Sequence, residues 1–363
     1  MKNIMVIYGG DSSEHDISII TAVESMMVAP IKGYRIIPVY VKNSVWYTGR
    51  CLFEIKNYLN FSPARYTKVL LFNKALYEIK RSKKLVKLFD IDCALILAHG
   101  GGGENGEWQG LFDTNGIPYT SSNVEASAIC MNKSYCKTLL KSWRVNVVEG
   151  ITINSNPDLD EIENILKEFD LPVVVKPVSQ GSSIGISLVN SVDTLKTAIN
   201  TASKYSSRLL IEKGLNNCLE FNQAAVFLRD ELVLSKIEKR MSSGDIFTYN
   251  DKYLSNKNSR SATDFLDDFE NNELKLEISN ITKSVYVKLN LWGIVRFDYL
   301  YSNNILYLNE INTIPGSLAH HLFENMTYQQ LLKSIIDESI KRIIFKPCHF
   351  QSNVLETLNS ISK

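Results

Sequence analysis

Residues Ile294-Val295-Arg296-Phe297-Asp298-Tyr299-Leu300, followed across Ser302-Asn303-Asn304 by Leu306-Tyr307-Leu308-Asn309-Glu310-Ile311-Asn312, decide the reading of the fold. Two apolar runs around an Asn-rich turn predict a β-hairpin. It carries charge where a core strand should be apolar. Side chains alternate along a strand, so Arg296 and Asp298 share one face, and Glu310 and Asn312 share one face of the partner. A register symmetric about the turn is expected to bring all four to the same side. Three hard oxygen-bearing side chains beside a guanidinium suit magnesium and an anionic ligand, because magnesium takes a few carboxylate oxygens and completes its shell with phosphate and water. That combination suggests nucleoside triphosphate chemistry. The alternative is a surface hairpin with solvated charges. Thr313-Ile314-Pro315-Gly316 follows directly, a Pro-Gly turn in which the Gly316 N–H is suited to meet developing negative charge.

The chain of 363 residues is long enough for two or three domains, and 45% hydrophobic against 22% charged residues describes a globular protein with a sizeable core. Lys and Arg number 40 against 39 Asp and Glu, a net charge of +1, so no bulk field favours nucleic acid or a membrane surface and any anion site is local. No apolar run reaches the roughly 20 residues that span a bilayer. Cys51, Cys93, Cys130, Cys136, Cys218 and Cys348 form no CxxC pair and no His-spaced metal pattern. With no signal peptide apparent, they read as reduced thiols of a cytoplasmic protein.

The N-terminal part begins strand, helix, strand, with strands at residues 3–8 and 35–40 and a helix over 17–28. This is the start of a parallel sheet with covering helices. A buried strand at 93–98 ends at His99 and a glycine run, the end of an open α/β sheet where ligands bind. Residues 122–147 read as one helix, 171–175 and 208–212 as buried strands, and 328–343 as an amphipathic helix. The polar stretch 242–264 reads as a lid. The expected units are 1–122, 123–206 and 207–363.

Gln180-Gly181-Ser182-Ser183-Ile184-Gly185 follows the strand that ends in Lys176-Pro177. Its backbone N–H groups can approach phosphate oxygens, although it has neither a Walker ending nor GxGxxG order, and a plain hairpin turn is the alternative. Lys176 favours the anion, since a lysine ending an apolar strand must find one or reach solvent. His99-Gly100-Gly101-Gly102-Gly103-Glu104-Asn105-Gly106-Glu107-Trp108-Gln109-Gly110 is a turn into a helix, a ligand loop, or both. Glu14, in Gly9-Gly10-Asp11-Ser12-Ser13-Glu14, is either a helix-start carboxylate or a partner for a substrate ammonium.

Taken in order, these segments resemble the D-alanine–D-alanine ligases of the ATP-grasp superfamily. The resemblance rests on Gly9-Gly10-x-Ser12-x-Glu14, His99-Gly100 with Gly103 to Gly106, Asn132-Lys133, Lys176-Pro177 with Gly181-Ser182-Ser183-x-Gly185, Ile211-Glu212-Lys213, Asp251-Lys252-Tyr253, Arg296-x-Asp298 and Glu310-x-Asn312-Thr313-x-Pro315-Gly316. It implies an α/β fold, α+β in its C-terminal parts, with an N-terminal Rossmann-like parallel-sheet domain followed by an ATP-grasp. It implies ATP on Lys133, Lys176, Gly181, Ser182, Ser183, Glu212, Lys213, Leu215, Glu220 and Lys252. Two magnesium ions, or manganese in their place, are expected on Asp298, Glu310 and Asn312. Catalytic roles are implied for Glu14, Ser182, Tyr253, Arg296 and Gly316. Contacts to D-alanine and a second D-amino acid are implied for Glu14, His99, Arg296, Gly316, His321 and Leu322. The reaction implied is an acyl-phosphate ligation giving a D-alanyl dipeptide for peptidoglycan, in a homodimer. His321 stands where the family carries a serine, so an acceptor such as D-serine or a hydroxy acid is the alternative.

Overall fold

The structure, a computed structural model, describes residues 1–29, 31–157, 167, 169–240, 264–265 and 271–342. Its first unit is a seven-stranded sheet in the order β6-β5-β4-β3-β2-β1-β7. The strands are β1 (Lys2–Gly9), β2 (Tyr34–Lys42), β3 (Val45–Thr48), β4 (Thr67–Phe72), β5 (Ala75–Ile79), β6 (Leu85–Asp90) and β7 (Cys93–Ile96), with helices α1 (His15–Val28) and α2 (Lys56–Leu59). Only β2, β1 and β7 run parallel; β3 to β6 extend the sheet as an antiparallel meander that the sequence reading did not separate. Residues 4–8 of β1 are fully buried, as a strand between parallel neighbours must be. Because β1 and β7 are adjacent and parallel, the loops after Gly9 and after Ile96 leave the same end of the sheet side by side. The second loop carries α3 (Gly101–Glu104) and α4 (Glu107–Asn115).

The single helix expected over 122–147 is two, α5 (Val124–Met131) and α6 (Lys133–Ser142). Asn132 breaks it: its backbone is extended (φ −90°, ψ 96°) and its side chain accepts the Tyr135 N–H at 3.1 Å, capping the new helix. The break puts Lys133 at the first helical position. Its N–H, which has no partner inside the helix, goes to the Val178 carbonyl at 3.1 Å.

A four-stranded sheet, β10-β9-β11-β8, follows, with β8 (Gly150–Asn154), β9 (Val173–Pro177), β10 (Ser187–Val189), β11 (Arg208–Lys213) and the covering helix α7 (Val192–Ser203). The boundary expected at 206–207 therefore falls too early, since β11 pairs with both β8 and β9. Helices α5 and α6 share the core of the last sheet rather than of this one.

The last sheet runs β14-β13-β12-β15-β16, with β12 (Leu219–Leu228), β13 (Glu231–Arg240), β14 (Asp264–Phe265), β15 (Val295–Ser302) and β16 (Ile305–Asn312). Helix α8 (Asn272–Lys288) packs on its apolar face. Helix α9 (Tyr328–Lys341), started by a Thr327/Gln330 capping box, returns to the first unit, where Tyr328 and Ser25 hydroxyls meet at 2.5 Å. Among the described residues no helix is long and apolar enough to cross a membrane, and five cysteines are unpaired. Cys348 lies outside the described residues, as does most of the predicted lid at 242–264.

Candidate active site

The hairpin is symmetric only near its turn. Asn303 and Asn304 take positive φ (51° and 61°), Ser302 pairs with Ile305, and Tyr299 pairs with Leu308. Continued unchanged, that register would set Asp298 opposite Asn309 and Arg296 opposite Ile311, turning Glu310 and Asn312 to the core face. A β-bulge at Asn309 prevents this, so that Asp298 pairs with Glu310 and Arg296 with Asn312. The shared face is reached through an extra residue, not through the symmetry expected.

On that face Arg296 grips Asp298 with both prongs, Nε to Oδ1 at 2.7 Å and Nη2 to Oδ2 at 2.8 Å. Asn312 donates Nδ2 to Asp298 Oδ2 at 2.9 Å. Lys133 Nζ lies 2.8 Å from Glu310 Oε1 and donates to the Gln180 carbonyl at 2.6 Å, tying the central loop to the hairpin. Two carboxylates and a carboxamide oxygen are donors that magnesium accepts, and half a turn of the Asn312 amide presents its oxygen. Among the described residues no cluster of three His, Cys, Asp or Glu has metal-holding geometry.

A cavity of about 180 Å³ opens beside this row, lined by Glu14, His99, Glu104, Gly181, Ser182, Arg240, Arg296, Glu310, Asn312 and Gly316 among others. Glu14 is buried, and the Ser182 hydroxyl donates to it. A Cβ at Gly181 would stand 2.5 Å from Glu14 Oε2, and one at Gly100 would stand 3.0 Å from it, so both glycines let backbone close over this carboxylate. His99 is buried with both ring nitrogens engaged, Nδ1–H donating to the Ile314 carbonyl at 2.9 Å and Nε2 facing Thr21 Oγ1 at 2.9 Å. Burial lowers its pKa to about 4, against the hydrogen bond to Ile314, so the ring is neutral. Glu104 accepts from the Gly100 N–H at 2.6 Å and the Ile314 N–H at 3.2 Å. Burial, then the nearby Glu14 charge, push its carboxyl up to about 8. A Cβ on Gly316 would meet nothing within 4 Å.

Lys176 and Glu212 are buried and in contact, and Lys176 Nζ stands 3.5 Å from Asn309 Oδ1 at the bulge. Lys137, one helical turn after Lys133, also contacts Glu212. Burial raises the Glu212 pKa, but the two lysines outweigh it and hold the carboxyl below its ordinary value. Ser183 lies in the same loop with positive φ, Lys213 is exposed at the end of β11, Leu215 is half-buried, and Glu220 faces Arg240 across β12 and β13. Lys252 and Tyr253 lie outside the described residues.

His321 and Leu322 are not among the residues lining the cavity. Leu322 is fully buried, and His321 turns to Glu238, with Nε2 3.7 Å from Oε1. The preceding Ser317, Leu318 and Ala319 all take positive φ (45°, 51° and 47°). Three such residues in a row are strained by about 1–3 kcal/mol each. Ser317 is anchored to α1 through Glu24 Oε2 at 2.6 Å and Thr21 Oγ1 at 3.3 Å. Sequence reasoning missed Glu104, Lys137, Glu238 and Arg240 as site residues. Only Lys137 left a plain signal, four residues after Lys133 and so on the same helix face.

An ATP-grasp fold with a two-carboxylate row, a buried lysine pair behind it and a Pro-Gly turn lining the adjoining cavity is the architecture of a carboxylate–amine ligase. The D-ala D-ala ligase N-terminus family model matches residues 3–122, and the D-ala D-ala ligase C-terminus model matches residues 139–337. The chain belongs to the D-alanine–D-alanine ligase family. It is 31% identical over 350 residues to a D-alanine–D-alanine ligase of Thermosipho melanesiensis, covering 94% of each chain. It is 32% identical to the vancomycin B-type resistance protein VanB of Enterococcus faecalis, covering 93% of this chain and 98% of that one. The solved D-alanine–D-alanine ligase of Bacillus anthracis, complexed with ATP, superimposes with TM-score 0.66 at 25% identity, covering 94% of this chain and 98% of that one.

Proposed function

We propose that this chain is an ATP-dependent ligase that joins D-alanine to a second D-amino acid through an acyl phosphate. The observation that carries this reading is the row of Arg296, Glu310 and Asn312 at one wall of a cavity, backed by Asp298 and by Lys133 on Glu310, with Glu14, Ser182 and the Gly316 turn at the other walls. Lys133, Lys176 and the 181–185 loop hold the phosphates of ATP, and residues 212–215 with Glu220 meet the nucleoside. Asp298, Glu310 and Asn312 would hold magnesium, which would supply positive charge to neutralise the phosphates.

Glu14 faces the ammonium of the first D-alanine, held in place by Ser182. That substrate's carboxylate attacks the γ-phosphate, giving the acyl phosphate and ADP. The amine of the second substrate attacks the acyl carbon, and phosphate leaves with one oxygen of the original carboxylate. Arg296 and the Gly316 N–H stabilise the oxyanion, a contribution of about 3 kcal/mol per donor. His99, neutral and tied to Ile314, holds the turn and closes the substrate wall. Excluding water preserves the acyl phosphate.

A second reading keeps the chemistry and changes the acceptor. It is favoured by His321, which Glu238 draws out of the cavity lining. Phosphate release measured with ATP, magnesium and D-alanine, then with D-serine or D-lactate added, tests both. Release with D-alanine alone and a D-alanyl-D-alanine product supports the first; release only with a second compound supports the second. Dimerisation through the first unit, expected from the resemblance, is tested by sedimentation.

A further inference from the structure

Lys137 has no role in that scheme, yet it is only 5% exposed. Its ammonium meets the Glu212 carboxylate, which also receives Lys176, and apart from this ion pair Nζ has no hydrogen-bond partner among the described residues. Lys176 and Glu212 are 5% and 3% exposed. Two ammonium groups thus share one carboxylate in the interior, leaving one positive charge uncompensated within the cluster. A surplus buried charge destabilises a fold unless an anion meets it. Its position indicates the anion. Lys176 is the last residue but one of β9, shortly before the 181–185 loop, and stands 3.5 Å from Asn309, the bulge residue next to Glu310.

We infer that Lys137 is a positioning residue for nucleotide binding: by sharing Glu212 it leaves the Lys176 charge available to the phosphates of a nucleoside triphosphate. This rests on the ligase reading above. Without Lys137, Glu212 and Lys176 neutralise each other and the site loses its net charge. The charged and titratable groups facing Lys137 are Glu212, Lys176 and the Cys136 thiol. Burial, the largest influence, lowers the Lys137 pKa to about 8 against the pull of Glu212. The surplus charge is therefore present below about pH 8 and fades above it.

The test is ATP binding to the full chain by calorimetry with magnesium and no amino acid, alongside turnover and melting temperature. Lys137→Met should weaken ATP binding about tenfold, with a smaller change in kcat, since it removes a charge-assisted contribution to phosphate binding. Lys137→Arg keeps the charge and should bind near wild-type. Wild-type affinity should fall as pH rises through about 8, and Lys137→Arg should lack that fall. Unchanged binding by Lys137→Met, or an identical pH profile for Lys137→Arg, each overturns the inference. Wild-type protein that fails to bind ATP overturns the ligase reading with it, whereas tight wild-type binding with an indifferent Lys137 overturns this inference alone. The Lys137→Arg and pH measurements do not depend on Lys137→Met folding.

Discussion

His99 and Ile314, 215 positions apart, are joined by a 2.9 Å hydrogen bond from the imidazole Nδ1–H to the peptide carbonyl. Glu104 takes the Ile314 N–H at 3.2 Å, so both polar groups of that residue's backbone are held by side chains from the glycine-rich loop of the first unit. The Gly316 N–H lies two residues further on. On the proposed mechanism, loosening either grip misplaces an oxyanion donor, and misplacement by about 1 Å can cost about 100-fold in rate. Glu104→Ala should therefore lower kcat by about that factor and leave ATP affinity near wild-type. Steady-state kinetics beside ATP calorimetry check it; an affinity loss as large as the rate loss would disprove the role.

Glu310 accepts Lys133 at 2.8 Å and faces Asp298 across the hairpin. Glu310→Gln keeps the volume and removes the charge of a proposed magnesium ligand, so turnover should vanish while the melting temperature stays within a few degrees. Near-normal rates at saturating magnesium would remove Glu310 from the metal row.

A side chain at Gly316 meets no protein atom within 4 Å, so it would project into the cavity. Gly316→Ala should fold as well as wild-type yet lose most activity, through a blocked acceptor and a displaced N–H. Full activity in that variant would place the reacting carbon elsewhere.

Glu238 shows a pH dependence whose sign can be worked out. Burial raises its pKa, but the His321 ring 3.7 Å away, a hydrogen bond from Asn222 at 3.0 Å and the Arg240 charge outweigh it and bring the carboxyl to about 2 from 4.5. A carboxyl depressed in the folded state stabilises above the unfolded pKa, and the gain fades as pH falls from about 4.5 towards 2. It amounts to about 3 kcal/mol. Melting temperatures of wild-type and Glu238→Gln should converge as pH drops through that window; a constant gap down to pH 2 would contradict the assignment.

Much of this site was legible in the sequence, because charge on an otherwise apolar alternating strand is conspicuous. Arg296, Asp298, Glu310 and Asn312 announced a shared polar face. The bulge that creates it was not legible, since Asn309 looks like any polar residue and only strand pairing shows that it is extra. The break at Asn132 was hidden for a similar reason: an asparagine inside a helical pattern reads as tolerable until its side chain is seen capping the next helix. The left-handed Ser317-Leu318-Ala319 turn contains no glycine to signal it, and tertiary anchors on Thr21 and Glu24 hold it. Glu104 was masked by the glycines around it, and its partner at Ile314 is 210 residues away.

Carboxylate activation by phosphoryl transfer is tested most directly with D-alanine labelled with ¹⁸O in its carboxyl group. Supplied with ATP and magnesium, the enzyme should release inorganic phosphate carrying one labelled oxygen for each dipeptide formed, since the acyl phosphate breaks at the acyl carbon. Dipeptide formed while the released phosphate stays unlabelled would contradict the acyl-phosphate route.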